Sequence, residues 1–267
     1  MTTPTLDRPG LGPEPPIDPR IRARRIEVRR DEGRKRLHRL IALLVCAAVL
    51  VIAFLVTRSP LLDVDRVVVT GSTHTPTAAV VAASGIRSHQ AMTDVNLARA
   101  RGQLLALPWI ASVSVQRSWP STVAIAVVER TAVAAVAGQG GFALVDATGR
   151  VLEVDPELPA GTVTLGGVPA PGAPGTTIDP AAADALRVAV ALTPTLTQQV
   201  GSVVVGTGGV ALALREGGTV LLGTADDLAA KLVATSTMLT QVDLADLCSI
   251  DVRVPSAPSL TRGSACL

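Results

Sequence analysis

The chain has no tyrosine, two tryptophans and two phenylalanines in 267 residues, so any core it builds must be aliphatic. It is equally poor in side chains that carry chemistry. Its three histidines, His38, His74 and His89, stand in no HExxH or comparable metal-binding pattern. The stretches GTGG at 206–209 and GTAD at 223–226 have neither a phosphate-binding lysine nearby nor a full glycine fingerprint. No Gly-x-Ser-x-Gly elbow occurs. Asp243, Asp246 and Asp251 read as turn, cap or solvated-strand residues. The expectation is a non-enzymatic protein without cofactor or metal. Nineteen prolines and 23 glycines imply many turns.

What the chain does have is a sharp division of charge. Residues 1–39 hold 11 Lys or Arg against 6 Asp or Glu, while the remainder holds 13 against 16. The basic character therefore belongs to one short tail, and no nucleic-acid partner is expected. The tail is followed by LIALLVCAAVLVIAFLV at 40–56, without a charge. As a helix this run, with Thr57, spans about 26 Å, close to a bilayer's hydrocarbon core of roughly 30 Å. Only a helix satisfies its own backbone there. The sequence predicts a transmembrane helix at 40–57, preceded by a basic, partly disordered tail at 1–39. Arg34, Lys35, Arg36 and Arg39 outweigh Arg58 and Arg66 on the other flank, which keeps the N-terminus cytoplasmic and sends the C-terminal part across. The long basic leader and the exit VTRSPLLDV, which lacks a small-x-small cleavage site, favour an uncleaved anchor over a signal peptide.

Beyond the anchor, LLDVDRVVVTG reads as a strand ending at Gly71. Thr75-Pro76 has the form of a helix cap followed by proline at the first helical position, and the short helix closes near Gly85. A second helix is expected from a Thr93 cap, with Leu97, Leu104 and Leu107 on one face, stopped by Pro108. Ile110 to Gln116 and Thr122 to Glu129 alternate as strands around a turn at Trp119-Pro120-Ser121. Trp109 is expected to pack at the helix-to-strand corner and Trp119 to cover the base of the hairpin. Arg117, Glu129 and Arg130 are expected in solvated electrostatic contacts.

The order strand, helix, helix, strand, strand, together with LPWIASVSVQRSWPSTVAIAVVER, resembles the POTRA domain of the FtsQ/DivIB family of bacterial cell-division proteins. Leu107, Pro108, Trp109, Ile110, Arg117, Trp119, Pro120, Glu129 and Arg130 carry the resemblance. The proline that usually follows the Glu-Arg pair is missing, with Ala132 near its place. The fold class expected is α+β: a single N-terminal transmembrane helix, a small POTRA domain (β-α-α-β-β) at 61–130, and a mixed α/β extracytoplasmic β-domain at 131–256 before a tail at 257–267.

In that second domain VDATGRVLE reads as a hairpin around Asp146-Ala147-Thr148-Gly149, and 158–175 as loop. Asp179-Pro180 opens a helix packed through Leu186, Ala189 and Val190. Strands follow at 200–206, 209–216 and 219–223, then a helix with a Thr224/Asp227 capping box and a terminal strand SIDVRVPS at 249–256. The hairpin and that last strand resemble the FtsQ β-domain. The resemblance implies a divisome scaffold whose partners are FtsB-like and FtsL-like membrane proteins, together with the lipid bilayer. Other readings are a POTRA-bearing transport or assembly protein and a membrane-tethered wall-modifying enzyme. Carried to this chain, the partner edge is expected at Thr219–Gly223 with Val220 and Leu222, or at the neighbouring Ser249, Asp251 and Arg253. Cys248 and Cys266 share the oxidising side and form either a disulfide or two independent thiols.

Overall fold

The computed structural model describes residues 19–57, 62–243 and 246–263. Two compact units are present, one up to Leu62 and one from Asp63 onward. In the first, α1 runs unbroken over Pro19–Thr57. The boundary expected between tail and span is thus no break in secondary structure, because helix propensity and backbone hydrogen bonding carry through the Arg-rich stretch. Within it, Arg36–Leu55 is the one segment among the described residues long and apolar enough to cross a membrane. Its Leu, Ile, Val and Phe side chains are all exposed, a contiguous apolar surface that water does not tolerate.

The second unit begins with β1 (Arg66–Thr70), α2 (Thr77–Ser84), α3 (Leu97–Leu105), β2 (Ile110–Ser118) and β3 (Thr122–Glu129). The strands form one sheet in the order β1-β3-β2, with β1 parallel and β2 antiparallel to β3. Strand alternation sends Val123, Ile125 and Val127 inward against Val80, Met92, Leu104 and Ile110. Two caps differ from expectation. Pro76 itself occupies the N-cap of α2, with no side-chain cap bond, and Thr75 is engaged elsewhere. α3 is capped by Asn96, whose Oδ1 accepts from the Arg99 backbone N–H at 2.9 Å, because Met92–Asp94 forms a separate 3-10 turn.

Only Arg130 and Thr131 separate β3 from the next strand. The second domain contains β4 (Ala132–Gly138), β5 (Gly141–Asp146), β6 (Val151–Asp155), β7 (Thr164–Gly166), α4 (Ala183–Ala191), α5 (Pro194–Gln199), β8 (Val200–Gly206), β9 (Gly209–Leu214), β10 (Thr219–Gly223), α6 (Leu228–Gln241), β11 (Leu247–Asp251) and β12 (Ser259–Arg262). All its strands join one sheet in the order β12-β11-β10-β9-β8-β7-β4-β5-β6. α4 and α6 bury Ala185, Leu186, Val188, Leu232 and Leu239 in its aliphatic core.

Four features depart from the sequence reading. β7 lies inside the stretch expected as loop, and pairs in parallel with β4 and β8 in the middle of the sheet. Gly167 lets it do so: at φ +71 a Cβ would sit 2.1 Å from the Val205 carbonyl oxygen. Val190 is exposed, and Ala185 and Val188 take its place on the buried stripe of α4. The capping box does not form, since Asp227 adopts a left-handed conformation and makes no cap bond. Instead the buried Lys231 donates to the Thr224 carbonyl and to Asp226 Oδ1 at 2.8 and 2.9 Å. Finally, the region expected as a tail supplies β12.

Candidate docking edge and interdomain joint

Successive residues of a strand point to opposite faces, and at the end of β3 this alternation separates the roles of Glu129 and Arg130. Glu129 turns back into its own domain. Its carboxylate accepts from the backbone N–H groups of Thr73 (3.0 Å), His74 (2.9 Å) and Thr75 (2.9 Å) and from the Thr73 hydroxyl (2.5 Å). The loop that presents these donors starts at Gly71, where φ is +82 and any Cβ would strike the Val127 carbonyl. The Glu129 side chain is only 7% exposed. Burial opposes its charge, but the backbone bonds from His74, Thr75 and Thr73 and the Thr73 hydroxyl outweigh it, holding the carboxyl far below the ordinary range.

Arg130 turns the other way. Its backbone N–H donates to the Trp109 carbonyl (2.7 Å), Nε donates to the Ile110 carbonyl (3.2 Å), and Nη1 reaches Asp146 Oδ2 at 2.6 Å. Asp146, in the tight turn between β5 and β6, also accepts from the Thr148 N–H and hydroxyl and from the Arg150 N–H. Its burial favours the neutral acid, yet the Thr148 hydroxyl, Arg130 and the two backbone donors lower its pKa overall. Two further contacts cross the same joint: Trp109 Nε1 donates to Glu153 Oε2 at 3.2 Å, and Arg150 Nη2 to the Ala106 carbonyl at 3.3 Å. The His74 ring stacks on Trp109 with centroids 4.2 Å apart.

The expectation of solvated contacts is therefore corrected for three residues. Glu129 and Arg130 are held in specific bonds to fixed partners rather than in loose surface pairs, and Arg117 donates to the Met92 and Val95 carbonyls at 2.9 and 2.6 Å, fixing the 3-10 turn. Trp109 does sit at the helix-to-strand corner and also reaches the second domain. Trp119 remains 55% exposed beside a cis peptide bond to Pro120. Sequence reading missed Asp146 and Glu153 as joint residues. The Asp-x-Thr turn was visible, but not the partner opposite it.

The expected partner edge is also corrected. β10 is hydrogen-bonded to β9 on one side and to β11 on the other, so Val220 and Leu222 are fully buried core residues. β11, with Ser249 and Asp251, is covered in turn by β12. Asp251 and Arg253 are satisfied by each other, with Arg253 Nη2 2.5 Å from Asp251 Oδ2. This bond lowers the Asp251 pKa and raises that of Arg253. At the opposite end of the sheet, β6 is partly covered by backbone bonds between Val151 and Gly175–Thr176. Among the described residues no strand pairs with the outer side of β12, whose four residues are all exposed. Near it, a recess of about 520 Å³ is lined by Val233 and Met238 of α6 and by Pro255 and Pro258. Cys248, on β11, is disulfide-bonded and its sulfur lies 2.9 Å from the Gly263 carbonyl oxygen. The second cysteine of the expected pair, Cys266, lies outside the described residues. No cluster of three or more His, Cys, Asp or Glu able to hold a metal occurs among the described residues.

A three-stranded β-α-α-β-β unit joined directly to a large mixed sheet, behind an N-terminal apolar helix, defines a POTRA-bearing protein of the FtsQ type. Residues 62–130 match the POTRA domain, FtsQ-type, and residues 134–253 match the C-terminal domain of cell division protein FtsQ/DivIB. The chain is 31% identical to cell division protein FtsQ of Streptomyces bingchenggensis over 79% of this chain and 80% of that protein. It is 31% identical to the FtsQ of Streptomyces collinus over 83% and 88%, and 31% identical to that of Mycobacteroides abscessus over 76% and 62%. The matched part thus spans about three-fifths of the mycobacterial relative's length. The major extracytoplasmic domain of the trans isomer of DivIB from Geobacillus stearothermophilus aligns with 17% identity and a TM-score of 0.32, over 43% of this chain and 95% of that one. The chain belongs to the FtsQ/DivIB family of cell division proteins.

Proposed function

We propose that the chain is a non-enzymatic, single-pass scaffold of the division machinery. Its basic N-terminus stays in the cytoplasm, α1 lies in the bilayer, and the two folded domains stand outside the membrane at the septum. The charge difference across the apolar run supports this orientation. The folded part receives FtsB-like and FtsL-like membrane proteins. The single observation that carries the docking reading is the open side of β12. A strand at a sheet edge leaves backbone N–H and C=O groups unpaired, and an incoming extended segment satisfies them by adding a strand. The apolar recess near it suits a side chain or short helix from the same partner.

The test is a set of proline substitutions at Ser259, Leu260 and Thr261, made singly in the full chain. Proline where the N–H points outward leaves the β11–β12 ladder intact but removes a donor to the incoming strand. At least one such variant should keep its circular dichroism and melting temperature while losing affinity for an FtsB-like extracytoplasmic segment. Unchanged affinity in every fold-preserving variant sinks the strand-addition mechanism. Protease added to intact spheroplasts should digest the C-terminal part, whereas protection of that part refutes the orientation.

A further inference from the structure

Two motifs stood out in the sequence without a role: the Glu-Arg pair that ends β3, and the Asp-Ala-Thr-Gly-Arg turn between β5 and β6. The structure brings them together. Each side-chain bond across the joint runs between the β5–β6 hairpin and the corner formed by the end of α3, the start of β2 and the end of β3. From the hairpin come Asp146, Arg150 and Glu153, and from the corner Arg130, the Ala106 carbonyl and Trp109. The bonds are spread over several residues of both elements, so a single hinge rotation cannot preserve them all. The chain crossing between the domains is two residues long and is itself tied down through the Arg130 N–H.

We propose that the β5–β6 hairpin is an interdomain lock, with Arg130–Asp146 at its centre, that makes the POTRA domain and the β-domain move as one rigid body. The Asp146 side chain is 6% exposed and that of Arg130 21%, so opening the joint breaks a charged bond of 2.6 Å that is largely shielded from water and forms only when the joint is closed. The lock lies at the β5–β6 end of the nine-stranded sheet, and the open edge of β12 at the other. Eight strand spacings of about 4.8 Å place the two roughly 38 Å apart. Whatever occupies β12 is thereby held at a fixed distance and angle from the POTRA domain.

The experiment measures the distance distribution between spin-labelled noncanonical residues introduced at Gln116 of β2 and Thr237 of α6, both exposed, in the full chain in nanodiscs. The parent protein should give one narrow peak. Arg130→Gln and Asp146→Asn should each broaden it at least twofold, and the double variant should be no broader than the wider single, since both remove the same tie. Hydrogen exchange of the β3 and β8 amides reports whether each domain remains folded. Should the central variants unfold, Trp109→Phe with Arg150→Gln removes two peripheral donors without stranding a buried carboxylate, and should broaden the peak by a smaller factor. A parent distribution that is already broad overturns the lock, as does an unchanged peak in the folded variants.

Discussion

Glu129→Gln removes one charge and turns an amide N–H₂ toward donors that need an acceptor. The carboxylate takes four hydrogen bonds of 2.5 to 3.0 Å from Thr73, His74 and Thr75 in a side chain 7% exposed. A hydrogen bond to a charged group contributes roughly 1.5–3 kcal/mol, and water reaches the exposed Thr73 and His74 donors once the charge is gone. The amide oxygen still serves part of the cradle, so the net loss should be about 2–4 kcal/mol. For a folded region of this size, about 2–4 °C of melting temperature is lost per kcal/mol, which gives a drop of roughly 4–16 °C. Because the native pKa is depressed, the carboxylate's contribution is fully present above its unfolded value, roughly 4.3, and is lost as pH falls toward the native value. The gap between parent and variant should therefore be full at pH 7 and shrink steadily below about pH 4.5. Thermal melts of the full chain in detergent at pH 7 and pH 4 measure both quantities. A gap below about 2 °C at pH 7, or one that widens on acidification, refutes the reasoning.

Leu222→Ala, a fully buried position, should cost about 2–5 kcal/mol and weaken partner binding only as far as it unfolds the domain. A stably folded variant with abolished binding would return β10 to the interface. Cys248 and Cys266 are proposed to pair, so non-reducing peptide mapping should recover one linked peptide, and reduction should cost about 2–4 kcal/mol for a loop of this length. Labelling of both thiols without reductant contradicts that pairing.

The POTRA domain was legible because its strands and helices announce themselves locally. β3 alternates over its whole length with Val123, Ile125 and Val127 inward, and Gly85 closes α2 in the left-handed conformation. The second domain was legible in part. β7 is three residues among glycines and prolines, and only its neighbours β4 and β8 make it a strand. Likewise, nothing in Thr219–Gly223 says whether one or two strands flank it. β10 has the apolar look of a docking strand because it is buried, and the real edge, Ser-Leu-Thr-Arg, looks like tail because it is exposed. The Glu129 and Arg130 pair was recognised as a motif, but its partners lie 54 to 56 residues upstream and 16 downstream, beyond any local pattern.

Among the described residues, the free border of β12 is four residues long and offers an arriving segment only a few ladder bonds, too few to capture passing peptides by backbone complementarity alone. Its serine, threonine and arginine side chains discourage two copies of the protein from zipping together edge to edge. Under the docking proposed above, discrimination comes from what the guest carries beyond its strand, read by the greasy hollow beside α6.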